Sequence, residues 1–156
     1  MKIIVKNEND RLSALTKSQI EDLIPHREPF LWLDEVLEHS TDRLVARKFV
    51  DPGLDVFRGH YPGKPVLPGV FLCEASMQAG AVLIALQTEP VAAGQVPVAT
   101  RINNVKFKQM VRPGDTLEVE VNLTDRLAST YFLAAKVKVG GKTAATLDFA
   151  CTAVEG

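Results

Sequence analysis

The stretch "GVFLCEASMQAGAVLIALQ" (residues 69–87) decides the fold, because its nineteen positions hold a single charged residue, Glu74. That length is close to the ~20 apolar residues that cross a bilayer. Glu74, Ser76, Gln78 and two glycines interrupt it, however, and no basic clusters flank it. A helix that is apolar on every side is equally suited to the middle of a soluble protein. The stretch therefore reads as a buried core helix and not as a membrane span.

Downstream of it the pattern changes period. "VPVATRINNVKFKQMV" (96–111) sets Val105 and Phe107 against Lys106 and Lys108, until Gln109 breaks the alternation. "RPGD" (112–115) is a turn signal, and "TLEVEVNL" alternates strictly. "TYFLAAKVKV" and "KTAATLDFACTAV" flank Gly140-Gly141, a pair suited to a tight hairpin. Upstream, Thr16 and Gln19 stand at capping-box spacing before a short amphipathic helix that Pro25 and Pro29 end. "FLWLDEVLEH" (30–39) then reads as a strand, with "RLVARKFV" (43–50) as its antiparallel partner. One long helix set against an antiparallel sheet defines the α+β class, the sheet wrapping the helix and turning its polar positions outward.

Composition narrows the function classes. A chain of 156 residues, 46% hydrophobic and 24% charged, is read as one soluble domain over residues 1–156. A net charge of −1 gives no electrostatic case for nucleic acid. Cys73 and Cys151 both sit in apolar runs and read as reduced thiols, not a disulfide. The opening "MKIIVKNENDR" (1–11) has too short an apolar run for a signal peptide. The expected compartment is the cytoplasm. His26, His39 and His60 show no spacing that suggests a metal site.

Chemistry concentrates just before and inside the long helix. Pro62, Pro65 and Pro68 recur at every third position, each fixing φ, while Gly59 and Gly63 permit tight turns. Such a loop holds His60 in one place. At Pro68-Gly69 the chain enters the helix, whose first amides lack partners and carry the positive end of the dipole. Gly69, with no side chain, lets a substrate oxygen approach those amides. Glu74 lies five residues further on, and Gln78, at i+4, shares its face and can orient the carboxyl. A carboxyl drawn out of water holds its proton and can donate it near neutral pH, whereas a neutral imidazole is a natural base there. Base, acid and amide donors together suit removing a proton beside a carbonyl and expelling a nearby hydroxyl.

Three segments in order carry a family resemblance. "GHYPGKPVLPGVFLCEASMQ" resembles the G-H-F-P-G-x-P-x-x-P-G-V pattern, with its later acid and Gln, of the β-hydroxyacyl-acyl-carrier-protein dehydratases of type II fatty-acid synthesis. "LIPHREPFLWLDEV" and "NNVKFKQMVRPGDTLEVEV" resemble two further stretches of that family, so the likeness covers most of the chain. It implies the hot-dog fold, with His60 taking the C2 proton of a (3R)-hydroxyacyl thioester. Glu74 would protonate the departing hydroxyl and the Gly69 amide would polarise the thioester carbonyl, yielding the trans-2-enoyl thioester. It also implies an acyl carrier protein as partner and no cofactor or metal. Histidine and acid would meet across a homodimer with shared sites, and such dimers also gather as trimers of dimers. Glu at the acid position resembles the general dehydratase branch, whereas the isomerising branch carries Asp. "CEASMQ" departs from the commoner E-A-M-A-Q spelling, with Ser76 and Met77 where Met and Ala are usual, a change placed in the acyl tunnel.

Competing readings are a hot-dog acyl thioesterase and a non-catalytic acyl-binding domain. Catalytic Cys73, with His60 as base, is a weaker one, because residues adjacent on a helix point about 100° apart. His26 and Arg27 either line the site mouth or cap the first helix. Lys106, Lys108 and Arg112 form a basic stretch facing either solvent or an acidic carrier protein.

Overall fold

The computed structural model describes residues 14–87 and 92–156; the opening stretch read above for a signal peptide lies outside them. The long helix forms as the sequence predicts. It is α2, Gly69–Ala85, and its buried residues lie on every side. No helix of the described residues is long and apolar enough to cross a membrane. In front of it stands α1, Lys17–Leu23, started by the expected capping box, in which Thr16 and Gln19 satisfy each other's backbone amides.

Six strands follow one another antiparallel in a single sheet. They are β1 (Glu35–His39), β2 (Arg43–Phe49), β3 (Gln95–Phe107), β4 (Thr116–Leu127), β5 (Thr130–Val139) and β6 (Lys142–Glu155), in the spatial order β1-β2-β4-β5-β6-β3. Period-two patterning decides which face each residue takes. Leu117, Val119 and Val121 of β4 and Tyr131, Leu133, Ala135 and Val137 of β5 are buried. Between them, Glu118 stands opposite Lys138 and Glu120 opposite Lys136, opposite charges paired across the outer face. Gly140 and Gly141 take φ of 57° and 77°, the two left-handed positions that a two-residue hairpin needs.

The helix packs against β2, β4, β5, β6 and β3. It comes close to the sheet where Gly80 lies against Phe149: a Cβ on Gly80 would stand 2.7 Å from the ring. β3 is the last strand on its side of the sheet, and Val98, Ile102, Val105 and Phe107 along it are exposed.

The strand expected over residues 30–39 is shorter, beginning only at Glu35. Phe30 and Trp32, before it, are held by a side chain instead of a strand ladder. The Trp32 amide donates to Gln78 Oε1 at 2.7 Å, and the Phe30 carbonyl accepts from Gln78 Nε2 at 2.8 Å. Trp32 packs on Phe71 with ring centroids 4.5 Å apart, tying this segment to the helix. The alternation in β3 ends where Gln109 breaks it: the strand stops at Phe107, and the Lys108 and Gln109 amides both turn to the Ala144 carbonyl.

Candidate active site

His60 sits in the loop between a short 3₁₀ turn (Asp55–Arg58) and α2. Its Nδ1 lies 2.6 Å from the Val66 carbonyl oxygen. A carbonyl only accepts, so Nδ1 carries the proton and the neutral ring leaves its lone pair on Nε2. The backbone contact thus selects the tautomer that a base requires. Tyr61 abuts the same ring edge-on, with centroids 4.7 Å apart. The loop's left-handed positions differ from those expected. Gly63 has φ of 84°, but Gly59 does not take that region, and the residue beside His60 that does is Tyr61, at 56°.

Pro68 is the N-cap of α2, one position earlier than a first-turn proline, and has no side chain to satisfy the amides behind it. The first-turn N–H groups, Gly69's included, have no i−4 carbonyl to bond. Packing also accounts for the absence of a side chain at Gly69. A Cβ there would lie 2.6 Å from the Phe107 ring, so the glycine lets the end of β3 close over the helix start. His60, Tyr61, Gly69, Val70, Phe107 and Lys108 are among the residues lining a cavity of about 500 Å³.

Glu74 and Gln78 lie together on α2, as their spacing predicts. Gln78 is wholly buried and donates to Glu74 Oε1 at 2.9 Å, while the rest of its amide is fixed by Phe30 and Trp32. The carboxyl therefore has one defined orientation, with its side chain about one-fifth exposed, and it faces a different cavity, of about 330 Å³. Met77, Ala81, Val98 and Cys151 also line that space. Within one chain, then, the described residues do not bring His60 and Glu74 together: the two line separate cavities.

Two residues left out of the catalytic set divide the readings offered for them. Arg27 caps the first helix, donating from Nη1 to the Ile24 and His26 carbonyls. His26 goes to the site mouth instead. Its Nε2 is 3.9 Å from Glu74 Oε1, its ring stacks on Phe30, and its Nδ1 is buried with no partner among the described residues. The signal for it lay in "LIPHREPFLWLDEV", the segment that carries part of the family resemblance. Cys73 faces the core, and burial pushes its thiol pKa up. Cys151 forms part of the Glu74 cavity wall, its thiol pushed up by burial to about 11. The basic stretch does not act as one face: Lys108 lines the His60 cavity, whereas Lys106 lines a separate one with Asn104 and Asp148.

An antiparallel sheet wrapped on one buried helix, with a histidine loop at the helix start, defines the hot-dog class. Solved structures agree at the level of fold. The dehydratase heterocomplex ApeI:P from Xenorhabdus doucetiae superposes with a TM-score of 0.71 at 18% identity, over 85% of this chain and 89% of that one. A thioesterase from Haemophilus influenzae superposes at 0.60 with 17% identity, over 78% of each chain. The chain belongs to the FabA-like domain family, which matches residues 24–148. Two relatives carry the name 3-hydroxyacyl-[acyl-carrier-protein] dehydratase FabZ. That of Oenococcus oeni is 43% identical over 86% of this chain and 96% of its own length. That of Enterococcus faecalis is 45% identical over 86% and 94%.

Proposed function

We propose that this protein dehydrates (3R)-3-hydroxyacyl thioesters carried on acyl carrier protein to trans-2-enoyl thioesters, in the synthesis of fatty acids or related lipids. Relatives of that name, matched across nearly their whole length, support the reaction. The observation that carries the assignment of roles is the His60 Nδ1 contact to Val66, which leaves Nε2 as a base.

The geometry supports the following roles. His60 Nε2 removes the C2 proton while the thioester carbonyl, drawn to the Gly69 amide and the positive end of α2, takes up the developing charge. The C3–O bond then breaks. Glu74, aligned by Gln78, gives its proton to the leaving hydroxyl, which departs as water. Proton exchange with solvent returns imidazolium and carboxylate to their starting states. The thioester already acidifies the C2 proton, so the chemistry calls for no cofactor.

Because base and acid line separate cavities in one chain, the working site is assembled from two copies, each lending His60 and Gly69 to its partner's Glu74 and Gln78. The apolar, unpaired edge of β3 is a suitable place for that pairing, since such an edge left bare invites another strand. Such dimers would also be able to assemble further, as trimers of dimers. The absence of a long apolar helix among the described residues is compatible with work in the cytoplasm.

The test is product analysis on hydroxyacyl carrier-protein thioesters. The unsubstituted protein is expected to release enoyl thioester, and His60→Ala and Glu74→Gln each to lose about 10²- to 10⁴-fold in kcat, the usual worth of a general acid or base. Free thiol in place of enoyl thioester would establish a thioesterase. Tight binding without turnover would establish an acyl-binding domain.

A further inference from the structure

His60 and His26 are held in opposite ways. His60 Nδ1 is pinned to the Val66 carbonyl, which leaves Nε2 bare. His26 Nδ1 is buried with no partner among the described residues. A buried N–H left unpaired is rarer than an unpaired acceptor, so in the neutral His26 ring Nδ1 is bare and Nε2 carries the proton. That Nε2–H stands 3.9 Å from Glu74 Oε1, the oxygen that already accepts from Gln78 at 2.9 Å. Two donors thus converge on one carboxyl oxygen, and the proton that Glu74 has to give sits on the other. Of the described residues lining this cavity, only His26, Glu74 and Cys151 ionise, and the Cys151 thiol, pushed up to about 11, stays neutral. On the segment that carries His26, Arg27 is turned to the Ile24 and His26 carbonyls and Glu28 to Lys17. Among the described residues of one chain, His26 is thus the side chain besides Gln78 that can answer a charge on Glu74.

Resting on the dehydratase reading above, we infer that His26 is a positioning residue for the acid: its Nε2–H closes on Glu74 as the carboxyl gives up its proton, and it takes up part of the charge left behind. At 3.9 Å the two atoms are beyond hydrogen-bonding distance, as suits a carboxyl that still holds its proton. Hydrogen bonds to a carboxylate run to about 2.7–2.9 Å, so a closure of about 1 Å completes this one. Among the described residues no hydrogen bond holds the ring back, and stacking on Phe30, with centroids 6.4 Å apart, steadies it. Phe30 is tied through its carbonyl to Gln78, so ring and carboxyl share one frame. A contact absent in the resting site and made as charge develops speeds the chemical step and leaves substrate binding alone. Protons balance without a further reactant. One leaves Glu74 with the hydroxyl as water, solvent returns one to the carboxylate, and His26 keeps its own throughout.

The experiment compares His26→Phe, which keeps a ring on Phe30 but has no N–H, with His26→Gln, whose amide N–H reaches about as far as Nε2 and cannot take up a proton. Both are measured beside the unsubstituted protein on a (3R)-hydroxyacyl carrier-protein thioester, from about pH 6 to 10. His26→Phe is expected to lose about 10- to 100-fold in kcat, the worth of a hydrogen bond to a charged group, with KM changed by less than about twofold. The pH at which its kcat falls on the alkaline side should also move up, since a carboxylate short of a donor holds its proton to higher pH. His26→Gln should recover most of the loss. If His26→Phe does not fold, His26→Ala takes its place. An unchanged kcat in the variant without an N–H overturns this inference and leaves the dehydratase reading standing. So does a loss that His26→Gln fails to recover. An alkaline limb that stays in place, or moves to lower pH as it would if His26 carried the proton itself, overturns it too. No enoyl thioester from the unsubstituted protein overturns both.

Discussion

Gln78 has no exposed surface, and both polar atoms of its amide are engaged: Nε2 with the Phe30 carbonyl and Glu74, Oε1 with the Trp32 amide. One buried side chain thereby fixes the candidate acid and ties the segment before β1 to the helix. Gln78→Leu leaves the Trp32 N–H and the Phe30 carbonyl without partners, and a buried group so stranded costs about 1–3 kcal/mol. The expected result is a fall of about 2–4 kcal/mol in unfolding free energy, read from the urea midpoint at unchanged slope, together with a lower kcat. Cys151 gives a second residue-scale prediction. Its folded pKa near 11 lies above that of a free thiol, so at pH 8 only about one molecule in a thousand carries the thiolate. Iodoacetamide should therefore modify native Cys151 far more slowly than the urea-unfolded chain, and equal rates would show that the thiol is not sequestered.

Gly80 decides how closely the central helix approaches the sheet. In an exposed helix, Gly→Ala gains up to ~1 kcal/mol from propensity. Here the new methyl would stand 2.7 Å from the Phe149 ring and 3.2 Å from Leu133, and overpacking of that kind costs about 1–3 kcal/mol. Gly80→Ala should lower the thermal midpoint, and adding Phe149→Leu should recover part of the loss; simple additivity would place the strain elsewhere. This element also marks how far the sequence could be read. The absence of charge around Glu74 announced a buried helix, and strict alternation in "TLEVEVNL" announced the strand beside it. The close approach at Gly80 was not legible, because nothing local to that glycine names its neighbour on β6, some seventy residues away. For the same reason residues 30–34 read as strand: their apolar character was visible, but not that the Trp32 amide and the Phe30 carbonyl are taken up by a glutamine in the helix. In the candidate site, His60, Gly69, Glu74 and Gln78 could be singled out from motif and spacing, whereas Val66 as the partner of Nδ1 and the place of His26 beside Glu74 depend on how the loops fold back.

At the scale of the whole molecule, the separation of His60 and Glu74 into two cavities makes a second copy the central claim. Ile102 lies exposed in β3, the outermost strand on its side of the sheet. Ile102→Lys should convert dimer to monomer in sedimentation velocity and abolish turnover in parallel, since charge on an edge strand opposes pairing. A more direct measurement mixes two inactive proteins. His60→Ala and Glu74→Gln variants, unfolded together and refolded as one pool, are expected to regain about a quarter of the unsubstituted activity, because half the twofold dimers are hybrids and each hybrid holds one intact site. Activity that stays at the level of the separate variants, with hybrid dimers demonstrably present, would contradict a site shared between two copies.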